Sequence, residues 1–170
     1  MPAIERVDRI DGTCGASGAV NPDVAYCTTT NTILVSDEGA AHPAAAYLVA
    51  HSFGHAVQVR HGVADVALQT IRARRSEETK LRGWVERQVD CIAGYLVGRA
   101  GAEAVDVNAF FENDPFDNPH WGRNPLSRGP HVPVPPAERQ QWFTTGMTEG
   151  LAACGVGEFG PELLLQAVRR

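Results

Sequence analysis

Apolar residues crowd one stretch of the chain. In Ala44-Ala-Ala-Tyr-Leu-Val-Ala-His-Ser-Phe-Gly-His-Ala-Val-Gln-Val-Arg60, the residues Tyr47, Leu48, Val49, Phe53, Val57 and Val59 leave little room for a solvent face. The pattern predicts a largely buried helix. Pro43 suits its first turn, and Gly62 can end it after Arg60-His61. Gly54 costs helix propensity, which points to a close approach of another backbone. Before this helix, Thr32-Ile-Leu-Val-Ser36 is the best strand candidate, and Asp37-Glu-Gly-Ala reads as a turn.

The pattern continues helical further on. Residues 63–75 predict a second helix. Ser76 as N-cap, with Glu77-Glu78 in the first turn, opens a third that runs to about Arg99-Ala100 and ends at Gly101. Its apolar stripe is Leu81, Val85, Val89, Ile92, Ala93 and Leu96. Pro135-Pro136 opens a fourth helix, Ala137 to about Gly150, with Trp142, Phe143 and Met147 on its buried face. Residues 161–170 predict a short terminal helix. Two stretches break the periodicity. Residues 1–30 read as irregular and are bracketed by Cys14 and Cys27. Residues 112–136 hold seven of the eleven prolines, with His120 and His131, and read as a long irregular loop of a length that is functional or disordered. These elements predict a single domain over 1–170, α+β and mainly helical, with a small β region before the first long helix.

Composition narrows the partners. A length of 170 residues suits one domain with a sizeable core. A net charge of −5 carries no electrostatic footprint for nucleic acid or anionic membrane. No apolar run is long enough to span a bilayer, and the first residues lack an apolar signal region. The expected compartment is therefore cytoplasmic, or extracytoplasmic if a leader has been trimmed. The four cysteines, Cys14, Cys27, Cys91 and Cys154, permit two disulfides in any of three pairings, or buried thiols in a reducing compartment. No Cys-x-x-Cys pair supports cysteine as a zinc ligand.

The candidate chemistry lies inside the first long helix. His51 and His55 are four residues apart, so both imidazoles share one helix face, as a common metal ion requires. The bland alternative is two helix histidines satisfied by hydrogen bonds. The third helix weighs against it. Glu86 and Asp90, again four apart, sit among Trp84, Val85, Val89, Cys91 and Ile92, where an unpartnered carboxylate is costly. His51, His55 and Glu86 would make a His₂Glu zinc site, and Asp90 could accept the free ring N–H of a ligand histidine. The spacing matches the His-Glu-x-x-His helix of zinc proteases except that Ser52 stands at the general-base position.

Four stretches together resemble the neutral zinc metallopeptidase family of bacteria, a gluzincin-like group. They are Thr13-Cys-Gly with Ala25-Tyr-Cys27; Val49 to Gln58; Glu86-Arg-Gln-Val-Asp-Cys-Ile-Ala-Gly94; and Ala137-Glu-Arg-Gln-Gln-Trp-Phe-Thr-Thr-Gly146, with Gly150 and Cys154. The resemblance implies a zincin-like fold and Zn²⁺ held by His51, His55 and Glu86, with Asp90 behind them. It also implies Cys14–Cys27 and Cys91–Cys154 disulfides, and a peptide or small-molecule ligand at the zinc. Two departures stand out. Ser52 replaces the general-base Glu, and Ser127-Arg-Gly129 followed by Pro130-His131 replaces the usual Ser-His-Gly. Arg128 and His131 are the candidates for the lost histidine's oxyanion role. Three readings follow: a natural zinc-binding pseudopeptidase, a zinc Lewis-acid enzyme acting on a small molecule, or an inactivated variant of an active endopeptidase.

Overall fold

A computed structural model describes residues 1–10, 23–116 and 132–166. Three strands make one sheet: β1 (Ala3–Val7), β2 (Val24–Cys27) and β3 (Thr32–Ser36). The order is β1-β3-β2, with β1 parallel and β2 antiparallel to β3. All five residues of β3 are buried, as its β-branched composition favours at the sheet centre. Residues 1–30, read above as irregular, thus contain two strands. β1 carries no alternating pattern because it buries almost nothing. It is held by the backbone ladder to β3 and by Arg6, whose Nε lies 2.6 Å from Asp37 Oδ1.

The predicted turn after β3 is a short helix, α1 (Asp37–Ala41). Ser36 caps it, its Oγ accepting from Gly39 N at 2.9 Å. The long helix follows as α2 (Ala45–Arg60), and Gly62 at φ 78° takes the left-handed conformation that stops it. Then come α3 (Val63–Ala73), a 3₁₀ turn (Arg75–Glu77) and α4 (Glu78–Arg99). Ser76 does not cap α4. It lies inside the 3₁₀ turn, which has no side-chain cap bond, and Glu77 holds the cap position of α4. A short α5 (Val107–Phe110), capped by Asp106, has no forecast in the pattern because one turn shows no periodicity. α6 (Pro136–Glu149), a 3₁₀ turn (Leu151–Ala153) and α7 (Glu162–Gln166) are the last described elements.

α2 is buried nearly all round because the sheet and α4 both pack on it. α4 and α6 approach through paired glycines. A Cβ on Gly94 would collide with the Phe143 carbonyl, and one on Gly146 with the Cys91 carbonyl. Tyr47, Phe143, Ala93 and Val97 fill the space where the three helices meet. Cys91–Cys154 is a disulfide that ties α4 to the turn after α6. Cys27 is also disulfide-bonded. Cys14, its expected partner, lies outside the described residues. No helix among the described residues is long and apolar enough to cross a membrane.

Candidate metal centre

The helix crossing builds the site. A Cβ on Gly54 would lie 3.0 Å from the Val89 carbonyl oxygen, so the backbones of α2 and α4 approach closely here. Gly54 adjoins His55, and Val89 adjoins Asp90 and lies one turn after Glu86. The contact therefore sets the histidine pair of α2 opposite the carboxylate pair of α4. His51, His55 and Glu86 each offer one ligand atom within 4.8 Å of the other two. His51 Nε2 and His55 Nε2 stand 3.6 and 3.7 Å from Glu86 Oε2. Ligand atoms about 2.0–2.1 Å from a tetrahedral zinc lie about 3.4 Å apart, so a small contraction would accommodate one.

Hydrogen bonding tests whether a cation fits. His51 Nε2 and both oxygens of Glu86 are buried without a hydrogen-bond partner. Leaving such groups unsatisfied is costly, and the cost is greatest for the carboxylate. Burial pushes the Glu86 carboxyl up to about 8, against the opposing pull of Arg139. Burial also holds His51 and His55 well below the ordinary imidazole value, which keeps them neutral with a lone pair to donate. Ionised, Glu86 would share the Arg139 cation, 4.0 Å away, with Asp90 and Asp114, and a divalent cation at the cluster would favour that ionised form.

Asp90 organises the side of the site behind His51. Its Oδ1 lies 3.0 Å from His51 Nδ1 and accepts from the Tyr47 hydroxyl at 3.0 Å. Its Oδ2 accepts from Arg139 Nη1 at 2.6 Å. Burial raises the Asp90 carboxyl to about 6, with Arg139 opposing, so it is ionised at neutral pH. An ionised carboxylate can only accept, so His51 Nδ1 is the donor and Nε2 faces Glu86 with its lone pair free. Arg139 continues the chain: its Nη2 donates to both oxygens of Asp114 at 2.9 Å. Asp114 Oδ2 accepts from Val134 N, and Oδ1 from Phe116 N. The Phe116 ring stacks on His51 with centroids 3.5 Å apart.

The structure thus brings His51, His55, Glu86 and Asp90 together. Ser52 is buried in α2 beside them. Arg128 and His131, the candidates for an oxyanion role, lie outside the described residues, as does His120. Tyr47, Asp114, Phe116 and Arg139 have no assigned role in the sequence reading. Arg139 left one signal: it is a charge one turn before the buried Phe143, on the same face of α6. Asp114 and Phe116 left none, since they sit in a segment without periodicity.

The comparisons with known proteins follow the same lines. A family model described as putative neutral zinc metallopeptidase matches residues 12–116, well over half the chain. No curated protein and no solved structure matches. The matched span includes α2 and α4, and hence the histidine and carboxylate pairs, and it stops before α6 with Arg139. With the matched span, the His-His-Glu cluster and the mixed α+β architecture in agreement, the chain belongs to the putative neutral zinc metallopeptidase family.

Proposed function

We propose that this protein is a single zincin-like domain that binds one zinc ion through His51, His55 and Glu86. We propose further that it lacks ordinary peptidase activity. The observation that carries the metal reading is the buried His51-His55-Glu86 cluster, in which His51 Nε2 and both Glu86 oxygens lack a hydrogen-bond partner and both histidine Nε2 atoms lie within 3.7 Å of Glu86 Oε2. A zinc ion held there would supply Lewis acidity, polarising a carbonyl and acidifying water. The residues of the chain do the rest. Asp90 holds the His51 ring in one tautomer, Arg139 holds Asp90, and the stacked Phe116 shields His51. The reading stops short of proteolysis because of Ser52. A hydroxyl is too weak a base to take the proton a peptidase must remove, and losing general acid–base catalysis costs roughly 10²–10⁴ in rate. The ligand at the centre is a peptide or a small molecule.

Metal analysis of the purified chain tests the first half. The expected result is one zinc per chain, lost in His51→Ala. A wild-type chain that neither retains nor takes up zinc overturns it. Digestion of an unstructured peptide by wild type and by Ser52→Glu tests the second half. Activity is expected only in the variant, and equal activity in both refutes the pseudopeptidase reading.

A further inference from the structure

His55 differs from its neighbour in one respect. His51 Nδ1 meets Asp90, but His55 Nδ1 is buried with no hydrogen-bond partner. Three positions further along α2, Gln58 is fully buried, and its Oε1 also lacks a partner. Positions i and i+3 of a helix are neighbours. Apart from the two oxygens of Glu86, Gln58 Oε1 is the only buried side-chain oxygen without a partner among the described residues.

The direction of the Gln58 amide follows from its surroundings. Gln88 Nε2 donates to two backbone carbonyls, Cys154 O at 3.0 Å and Phe159 O at 3.1 Å. Its Oε1 is therefore the acceptor it shows to Gln58. Gln58 Nε2 donates to that oxygen at 3.0 Å and to Val85 O at 3.1 Å. Both N–H bonds of Gln58 are thus used, and Oε1 can only accept. A histidine that offers Nε2 to a metal carries its proton on Nδ1, and that N–H needs an acceptor.

From this pairing we infer that Gln58 is the positioning residue of His55, its Oε1 accepting the Nδ1–H and so aiming Nε2 at the metal. The inference rests on the metal reading above and adds a residue to it. Gln58 does not touch the metal; it acts through the imidazole. The Gln88 amide and the carbonyls of the 154–159 turn, anchored by the Cys91–Cys154 disulfide, hold Gln58 in turn. The Gln58 side chain also raises the His55 pKa, against the larger lowering by burial.

The first test uses the unaltered chain, labelled with ¹⁵N-histidine and loaded with zinc. His55 should show a protonated, slowly exchanging Nδ1 and a metal-bound Nε2. Coordination through Nδ1, or an Nδ1 proton that exchanges freely with solvent, overturns the inference. The second test is chelator competition on variants. Gln58→Leu should bind zinc about 10- to 100-fold more weakly. Gln58→Glu keeps an acceptor but loses both donated bonds, and should hold zinc within about threefold of wild type. Equal losses in the two variants would mean that Gln58 is only structural, and unchanged affinity in Gln58→Leu would mean it has no role. A wild-type chain without zinc affinity defeats the metal reading itself, whereas zinc in wild type with either contrary outcome defeats this inference alone.

Discussion

His51 and His55 lie one turn apart on α2, yet they are backed by different chemistry. Behind His51 stand charges: Asp90, then Arg139, then Asp114. Behind His55 stand amides: Gln58, then Gln88, then the carbonyls of the 154–159 turn. Each chain ties a different part of the sequence to the site. The ionic side recruits α6 and the 114–116 segment, and the amide side recruits the turn that follows α6. The difference has consequences. The ionic side is balanced only if its charges sum correctly, so it responds to protons and to the metal. The amide side carries no charge, so its contribution does not change with pH.

The largest expected effect breaks the ionic side. Arg139→Met removes the guanidinium that Asp90 and Asp114 both bind and leaves the buried Asp90 carboxylate without that cation. Removing one partner of such a buried pair costs about 3–5 kcal/mol, so urea unfolding of the zinc-loaded variant should show a loss of that size. Asp90→Asn is gentler. It keeps the shape behind His51 but weakens both the Arg139 and the histidine contacts, and zinc affinity by chelator competition should fall about 10- to 100-fold. A fall as large in Gln88→Leu as in Asp90→Asn would show that amides and charges hold the ligands equally well.

A pH series separates the two sides without mutation. Glu86 has a folded pKa of about 8 in the metal-free chain, raised from 4.5. A raised carboxyl stabilises the fold fully below its unfolded value and loses that contribution as pH rises through the folded value. Asp90, raised to about 6, acts in the same sense at lower pH, while His51 and His55, lowered from 6.5, act in the opposite sense there. Above about pH 7, where the unfolded histidines have largely lost their protons, Glu86 is the main group among the described residues whose protonation differs between the folded and unfolded chains. The metal-free protein should therefore lose stability as pH rises from about 7 to 8, by less than the roughly 1.4 kcal/mol per pH unit that a full proton difference would give. Zinc holds the carboxylate ionised, so loading should flatten the slope. A metal-free chain as flat as the loaded one would remove the case for a strained, buried Glu86. The smallest effect is a control: Arg6 and Asp37 form an exposed pair at the sheet edge, and Arg6→Gln should leave zinc affinity unchanged.

Local patterns made the candidate ligands legible. His51 and His55 share a face because α-helical spacing puts residues four apart together, and Glu86 and Asp90 do so for the same reason. Gly54 could be read as a close approach because a mid-helix glycine is unfavourable unless something needs the space. The boundaries of β3 and α2 also followed from composition and from Pro43 and Gly62. Where contacts replace pattern, the reading failed. β1 has no apolar face, and its existence depends on a parallel partner about thirty residues away. Ser76 looks like a cap, but a 3₁₀ turn takes its place.

By itself, then, the sequence determined the long helices and the two pairs of candidate ligands, because periodicity and residue type act locally. Only the tertiary structure decided that the pairs meet, that Asp90 faces His51 rather than His55, and that Arg139 ties Asp90 to Asp114. Those outcomes depend on the angle and depth at which α4 crosses α2 and α6. That crossing is set by close backbone approaches at Gly54, Gly94 and Gly146, and no local pattern encodes which backbone each glycine meets.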